Sequence, residues 1–233
     1  MELQIGVSKI KKYASSDSGD SIEVVERPNG GISVVMADGQ RSGKNAKRIS
    51  NMVVRKVVSL LAEGIRDGAA ARAASDYLFS ERGGKVLATL NIISIDTVTN
   101  TIVVTRNNPA PILYTLGKDI KILDQDCNPV GVYRNTRPLI TELPIQSGLS
   151  IVAFTDGITN AGVKNNEHLE IKELFETSIN KNLSAQECSD HFMNSALELD
   201  KGFPADDVSI VVIKVNPETR DDIRRLTISI PIK

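Results

Sequence analysis

Apolar and polar residues alternate from the start of the chain, and the alternation predicts β-strands. Residues 3–8 alternate strictly, with the period of two that indicates a strand with one buried face. Two further apolar runs, at 22–25 and 32–37, flank a turn sequence at 28–31. The two runs and the turn between them predict a β-hairpin.

Two aspartates lie at matching ends of the predicted hairpin. Asp20 comes at the start of the first strand, and Asp38 follows the second strand directly before Gly39. Because the strands of a hairpin run antiparallel, the start of one faces the end of the other. We therefore expect the two carboxylates to meet at one end of a sheet.

The sequence also predicts two pairs of helices. Residues 46–60 carry apolar residues three and four positions apart, and a second helix begins with Asp67 as its N-cap and ends at Gly83. A later pair covers residues 168–180 and a segment opened by Ser184, which has a glutamate three positions later, as in a capping box. Short connections favour an antiparallel arrangement of paired helices.

The remaining apolar runs are rich in β-branched residues and leucine, and they predict further strands. These runs are residues 86–95, 101–105, 112–116, 120–123, 149–154 and 208–215. The first four follow one another without a connection of helix length, so we expect them to form an antiparallel meander. Antiparallel sheet combined with helix pairs predicts a layered α/β (α+β) sandwich.

We assign most of the chain to a single domain. A length of 233 residues lies within the range of one large α/β domain, and the predicted elements place it at residues 1–215. The remaining residues, 216–233, form a C-terminal tail. Four apolar residues between positions 226 and 232 alternate with other residues, which predicts an added edge strand.

Composition and charge argue against several classes of protein. The chain is 41% hydrophobic and 24% charged, as expected of a packed globule rather than a disordered chain. Its 28 basic and 29 acidic residues nearly cancel, which argues against a nucleic-acid partner. With no targeting segment and no apolar window of membrane length, we expect a cytoplasmic protein that binds no membrane. We expect a free-standing chain of this kind to be a monomer. Cysteine and histidine are scattered singly, so a metal ion would need oxygen ligands.

Four aspartates stand where a predicted strand meets a loop: Asp20, Asp38, Asp156 and Asp206. Gathered together they would repel one another, and hard divalent cations such as Mg²⁺ and Mn²⁺ remove that conflict because they prefer carboxylate and carbonyl oxygens. A single Asp-Gly dipeptide is more typical of a turn than of a metal site. The ordered set of acids at strand ends is far more specific, and it predicts metal-assisted attack of water on phosphorus.

The motifs around these acids resemble a known family. They are Ser18-Gly19-Asp20, Ala37-Asp38-Gly39 with Ser42-Gly43, Phe154-Thr155-Asp156-Gly157, and Asp206-Asp207-Val208-Ser209. The set is similar to that of the PPM metal-dependent protein phosphatases, in their bacterial SpoIIE and RsbU branch, and most similar to the compact stressosome phosphatase of that branch. The resemblance implies two packed, mainly antiparallel β-sheets flanked by pairs of antiparallel helices.

The resemblance also implies an activity and a ligand set. Such proteins hydrolyse phosphoserine or phosphothreonine on a bacterial signalling protein, here expected to be a STAS-domain component of a stressosome or partner-switching system. Two divalent ions, Mn²⁺ or Mg²⁺, are implied. Carried over by position, Asp38 is the bridging ligand, Gly39 supplies a backbone carbonyl, and Asp20, Asp156 and Asp206 complete the metal-binding and catalytic set. Asp206 is chosen over its neighbour because the ligand in the family is the first acid of the pair.

Several positions depart from the family pattern. Arg41 replaces a glycine beside the expected centre, where it either binds the substrate phosphate or is an exposed turn arginine. Arg106-Asn107 replaces Gly-His, and Asn160 replaces an acid. These departures leave open the alternative that the chain is a catalytically silent relative that binds a phosphoprotein. A metal-dependent phosphoesterase for small molecules is a further alternative.

Overall fold

The computed structural model describes residues 1–116, 119–218 and 221–232, and it contains two five-stranded sheets. The β1 sheet has the strand order β1 (Glu2–Ile10), β10 (Val208–Asn216), β9 (Ser150–Phe154), β6 (Ile112–Leu116) and β7 (Asp119–Leu123). The β2 sheet has the order β2 (Asp20–Glu26), β3 (Ile32–Gly39), β4 (Ala88–Asp96), β5 (Thr101–Asn107) and β8 (Leu139–Pro144). The strand pairs within both sheets are antiparallel.

Helices cover the outer face of each sheet. They are α1 (Gly43–Ala62), α2 (Asp67–Arg82), α3 (Asp156–Thr159), α4 (Ile171–Asn180) and α5 (Ala185–Leu199), with a short 3-10 helix at Val163–Asn165. One apolar core joins α1 and α2 to the β2 sheet, a second joins α4 and α5 to the β1 sheet, and a third lies between the sheets. The molecule is thus a sandwich of two sheets with a helix pair on each side, as the sequence predicted.

The central strands are buried on both faces, which explains their continuous apolar sequences. In β3, Val35 and Ala37 pack in the core beneath α1, while Val34 and Met36 pack between the sheets. The strands β4, β9 and β10 divide their side chains between two cores in the same alternating way. Because side chains of a strand point to opposite faces in turn, such a strand needs an apolar residue at nearly every position.

The predicted meander is wrong in one respect, because its four strands belong to two sheets. β4 and β5 pair within the β2 sheet, whereas β6 and β7 pair within the β1 sheet. The chain changes sheets at 108–111, where Pro109 and Pro111 cannot donate backbone hydrogen bonds to a ladder. The strand β8, which the sequence analysis did not assign, then completes the β2 sheet beside β5.

Two details of the helices and the tail also differ from the predictions. Arg66, not Asp67, is the N-cap of α2, and the Asp67 carboxylate instead accepts a hydrogen bond from Nη1 of Arg27 at 2.7 Å. The described tail residues 221–232 form no strand, and Leu226 in that stretch is 75% exposed. No neighbouring strand pairs with this part of the tail, so the predicted edge strand is wrong. The capping box of α5 is present, as predicted.

Candidate metal centre

Asp20 and Asp38 face each other across the hairpin of β2 and β3. The register pairs Asp20 with Asp38 and continues through Ser21 and Ala37 along the two strands. Local sequence sets this register, because the turn at 28–31 fixes which residues lie opposite. The structure therefore brings the first two predicted site residues together at one end of the β2 sheet.

The carboxylate of Asp20 is fully buried and only partly satisfied. Its Oδ2 accepts a hydrogen bond from Oγ1 of Thr155 at 3.0 Å. Its Oδ1 has no hydrogen-bond partner among the described residues. Burial raises the pKa of Asp20 above its ordinary value. A buried, unpaired carboxylate oxygen is costly, and a bound cation would satisfy it.

Asp38 and Asp156 belong to the same charge cluster. Burial, followed by the negative charges of Asp20 and Asp156, raises the pKa of Asp38 to about 9. Asp156 keeps solvent access, yet partial desolvation and the charge of Asp206 raise its pKa to about 6. Carboxylates shift one another in this way only when they are close. All four predicted acids therefore lie within electrostatic reach of one another.

The neighbouring acids Asp206 and Asp207 have different surroundings. Asp207 is buried, and its two carboxylate oxygens accept hydrogen bonds from the backbone N–H groups of Lys12 and Gly19, each at 2.9 Å. Asp206 is half-buried and accepts only from the backbone N–H of Asp207 within the described chain, at 2.9 Å. Asp207 thus holds the loop between β1 and β2, and Asp206 keeps oxygen lone pairs free for a ligand.

The glycines that follow Asp38 and Asp156 are needed for close chain packing. A Cβ on Gly39 would lie 2.0 Å from the backbone oxygen of Ala46 in α1. A Cβ on Gly157 would lie 2.1 Å from the backbone oxygen of Asp207. Both distances are far below van der Waals contact, so no side chain fits at either position. At each Asp-Gly the backbone after a strand therefore packs closely against a neighbouring segment, and this contact fixes the position of the aspartate.

Sequence reasoning assigned no role to several residues around this centre. Thr155 joins Asp20 to β10, because its hydroxyl also accepts from the backbone N–H of Ser209 at 3.0 Å. Lys9 and Lys47 both donate to the backbone oxygen of Asp20, at 2.6 and 2.7 Å. Burial and the nearby Lys47 ammonium lower the pKa of Lys9 to about 8. Thr155 belongs to the Phe154-Thr155-Asp156-Gly157 motif, but nothing in the sequence marks the two lysines.

The departures from the family pattern lie in different surroundings. Arg41 is exposed, with a left-handed backbone at φ 73°, in the turn between Gly39 and α1. Arg106 is buried and donates to the backbone oxygens of Asn108 and Gln125, which is a structural role in the loop after β5. Asn160 caps α3 and is exposed.

The loop that follows Arg106 touches the centre through one amide. Asn108 is buried, and its Nδ2 donates to the backbone oxygen of Phe154 at 3.2 Å, two residues before Asp156. Its Oδ1 accepts from the backbone N–H of Ala110 at 3.0 Å. Asn108 therefore braces the end of β9, another role that the sequence alone did not indicate.

The donor set fits a hard divalent cation, although its side chains do not already form a closed cage. Among the described residues, no group of three or more His, Cys, Asp or Glu side chains is arranged to hold a metal ion as it stands. The unpaired buried oxygen of Asp20 and the raised pKa values of Asp38 and Asp156 are nevertheless what cations would correct. Oxygen-only ligands favour Mg²⁺ or Mn²⁺ over zinc.

The family model described as Stage II sporulation protein E (SpoIIE) matches residues 28–216. The chain belongs to the SpoIIE family. It is 21% identical over 220 residues to stage II sporulation protein E of Priestia megaterium, covering 93% of this chain and 37% of the relative. The identity to stage II sporulation protein E of Bacillus subtilis is also 21% over 220 residues, and the match covers 93% of this chain and 26% of the relative. The chain thus spans only about a third and a quarter of these two SpoIIE proteins.

Solved structures share the fold of this SpoIIE-family chain. The PP2C phosphatase domain of SpoIIE from Bacillus subtilis superposes with a TM-score of 0.78, at 20% identity over 92% of this chain and 64% of that one. RsbX in complex with magnesium superposes with a TM-score of 0.71, at 14% identity, and the match covers 92% of this chain and 96% of RsbX. The catalytic domain of the phosphatase PstP in complex with 2 manganese ions superposes with a TM-score of 0.70, at 13% identity, and the match covers 92% of this chain and 98% of that domain.

These similarities confirm two of the sequence predictions. The chain has the fold of PP2C-type serine/threonine phosphatases, and the resemblance to the SpoIIE and RsbU branch of the PPM family is correct. The described residues include no helix long and apolar enough to cross a membrane.

Proposed function

We propose that this chain is a Mn²⁺- or Mg²⁺-dependent phosphatase that hydrolyses phosphoserine or phosphothreonine on a bacterial signalling protein. The observation that carries the proposal is the Asp20–Asp38 pair at the end of the hairpin, within charge reach of Asp156, in a SpoIIE-family fold. The finer substrate assignment, a STAS-domain component of a stressosome or partner-switching system, rests on the family resemblance.

Five residues would hold two metal ions. Asp20, Asp38, Asp156 and Asp206 would supply carboxylate oxygens, with Asp38 in the position that the family resemblance assigns to a shared ligand, and Gly39 would supply its backbone carbonyl. When bound, such ions neutralise phosphoryl oxygens and acidify a water molecule that can attack phosphorus. RsbX with magnesium and PstP with 2 manganese ions, both similar in fold, support this choice of metals.

The protein itself would position the groups that react. Thr155 donates to Oδ2 of Asp20, and the Lys9 ammonium donates to the backbone oxygen of Asp20. These two hydrogen bonds restrain the orientation of the carboxylate and therefore of its free Oδ1. Preorganised ligands of this kind avoid reorganisation during the reaction. Arg41, exposed in the turn after Gly39, would pair with the oxygens of the substrate phosphate, because guanidinium groups bind phosphate through two parallel hydrogen bonds.

Hydrolysis of an aryl phosphate tests the metal centre without a protein substrate. We expect Mn²⁺ to stimulate the reaction, and Asp38→Asn to reduce it at least about 100-fold, since a lost ligand costs more than a lost supporting contact. Asp124→Asn makes the same chemical change at an exposed residue outside the cluster and is the matched control. Full metal-dependent activity in Asp38→Asn would disprove the assignment of Asp38.

Phosphate release from phosphorylated STAS-domain proteins tests the substrate class. Metal-dependent release from one of these proteins, absent in Asp38→Asn, is the expected result. If the chain binds the phosphorylated protein in calorimetry but releases no phosphate over hours, it is a silent binding relative instead. Faster hydrolysis of nucleotides than of phosphoproteins would favour a small-molecule phosphoesterase.

A further inference from the structure

A pocket of about 300 Å³ opens beside the candidate metal centre. Its lining residues are Lys12, Tyr13, Lys164, Asn165, Asp200, Lys201, Phe203, Pro204 and Ala205. They come from three separate loops of the chain. We call this the lysine–aromatic pocket, and none of the residues assigned to the metal centre lines it.

The lysine–aromatic pocket has an excess of positive charge. Lys12, Lys164 and Lys201 line it, and within the part of the chain that the structure describes none of their ammonium groups forms an ion pair. The one acid in the lining, Asp200, is buried, and its two oxygens accept from the backbone N–H groups of Gly162 and Ala205. Asp200 therefore braces the loops, and the lysines remain available to an anionic ligand.

Two aromatic rings stand exposed at the same pocket. Tyr13 is 60% exposed and Phe203 is 58% exposed, and their ring centroids lie 4.7 Å apart with an interplanar angle of 77°. Large exposed aromatic side chains beside cationic groups are typical of protein-binding surfaces, where aromatic anchors supply most of the contact energy. The edge-to-face contact holds the two rings in place before a ligand arrives.

Each wall of the pocket is connected to a segment that carries one of the clustered acids. Ala205 precedes Asp206, and the turn that contains Lys164 follows the helix that begins with Asp156. The third wall is tied to the same place, since the backbone N–H of Lys12 donates to Asp207 and that of Tyr13 donates to the backbone oxygen of Pro204, both at 2.9 Å. A ligand in the pocket would therefore lie next to the segment that carries Asp206.

We propose that the lysine–aromatic pocket binds an acidic segment of the substrate protein, close in sequence to its phosphorylated residue. The inference rests on the proposed function, because it takes the substrate to be a phosphoprotein. The three lysines match carboxylates by charge, and the two rings contact an apolar side chain within that segment. Because Ala205 lines the pocket and directly precedes Asp206, the segment lies close to the phosphate. Long-range attraction of this kind selects among substrates that carry the same phosphoserine.

Fluorescence polarisation with labelled phosphopeptides tests the pocket without requiring hydrolysis. Two peptides share one phosphoserine and differ in carrying either acidic or uncharged flanking residues, and a chelator prevents turnover. We expect the acidic peptide to bind more tightly. In the variant Lys164→Glu with Lys201→Glu the affinity for the acidic peptide should fall about tenfold, while the affinity for the peptide with uncharged flanks, which keeps only the phosphate charge, should fall much less. Both lysines are exposed, so the variant should melt like the parent chain.

Lys85→Glu with Lys172→Glu reverses two exposed charges that do not line the pocket and is the matched control. Equal affinity of the parent chain for both peptides would overturn the proposal. So would an equal loss in this control, or equally strong competition by an oligonucleotide of the same charge. Hydrolysis with Mn²⁺ separates the two proposals. Charge-selective binding without turnover refutes the phosphatase assignment alone, and turnover without charge selectivity refutes the pocket alone.

Discussion

The hydroxyl of Thr155 donates to Oδ2 of Asp20 at 3.0 Å and so joins the two sheets at their acidic end. Asp20 begins β2, whereas Thr155 directly follows β9 in the opposite sheet. The same hydroxyl accepts from the backbone N–H of Ser209. One side chain therefore links the β2 sheet to the β1 sheet where the predicted ligands meet.

We predict that Thr155→Val destabilises the protein and weakens metal binding. Valine keeps the shape but leaves the buried carboxylate of Asp20 and the N–H of Ser209 without this partner, which should cost about 1–3 kcal/mol in the free energy of unfolding. Mn²⁺ affinity measured by calorimetry should fall about tenfold or more, as for other groups that orient a ligand. Thr155→Ser keeps the hydroxyl and should retain most of both properties. Equal effects of the two substitutions would contradict the role of the hydrogen bond.

The pairing of Asp20 with Asp38 could be predicted from the sequence because a hairpin joins strands that are close together in the chain. The turn at 28–31 sets the register, and alternation sets the buried faces, so both follow from a short stretch of sequence. The assignment of strands to sheets could not be predicted in the same way. β5 and β6 are separated by only four residues yet join different sheets, because their partners β8 and β9 lie far along the chain.

The support around the acids was also beyond the sequence. Lys9 and Lys47 reach the backbone oxygen of Asp20 from β1 and from α1, two elements that only the folded sandwich brings together. Gly39 and Gly157 each accommodate a backbone oxygen from a segment that is distant in sequence or only folded against them, and no local pattern indicates that contact. The sequence thus indicated which residue types belong to the site, and tertiary packing decided how they are held.

The acidic cluster should make the metal-free protein less stable as the pH rises, and deprotonation of Lys9, whose pKa is lowered to about 8, should offset part of that loss above this pH. The pKa of Asp156 is raised to about 6 and that of Asp38 to about 9, against an ordinary value of 3.8, so the folded state binds these protons more tightly than the unfolded state. Their contribution is complete below the ordinary pKa, and it is lost as the pH rises through about 6 and then about 9. Urea unfolding in the presence of a chelator measures this trend.

Two controls distinguish this effect from general alkaline instability. Asp38→Asn is neutral at every pH, so its stability should vary less between pH 6 and pH 9. With Mn²⁺ the trend should reverse, because the metal binds deprotonated carboxylates and its affinity rises with pH. A parent chain whose metal-free stability increases over this range would refute the burial of these charges.

Alanine at either site glycine should strongly destabilise the fold. The new Cβ of Gly39→Ala would overlap the backbone oxygen of Ala46 at 2.0 Å, and that of Gly157→Ala would overlap the oxygen of Asp207 at 2.1 Å. Such overpacking against backbone should cost about 3 kcal/mol, which thermal unfolding would detect. Gly148→Ala is the control, because no atom lies within 4 Å of its Cβ and only the positive φ is penalised, by about 1 kcal/mol. Equal losses at all three positions would contradict close packing as the cause.

Removal of the chain after Asn216 should change stability little. The described tail residues are exposed, and the ion pair between Arg224 and Glu26, at 2.8 Å, has both side chains more than half exposed. Exposed pairs contribute about 0–1 kcal/mol. The shortened chain should therefore melt close to the full chain and keep its metal affinity. A marked drop in melting temperature would show that the domain extends beyond residue 215.

Asparagine substitutions at Asp206 and Asp207 should have opposite consequences. Asp206→Asn keeps an oxygen for the backbone N–H of Asp207 but removes the charge, so metal affinity should fall while the free energy of unfolding stays nearly unchanged. Asp207→Asn replaces one of two oxygens that accept from Lys12 and Gly19 by an amide that cannot accept, leaving a buried N–H unpaired. The loss of this hydrogen bond should lower the free energy of unfolding by about 1–3 kcal/mol.

Calorimetric titration with Mn²⁺ and urea unfolding, applied to both variants, check this pair of predictions. Each variant is the control for the other, since the two residues are adjacent and the chemical change is the same. If Asp207→Asn abolishes metal binding while the loop between β1 and β2 stays stable, the ligand is Asp207. The family assignment of the first acid would then not hold in this chain, because the loop would not need the carboxylate that the structure places against its backbone.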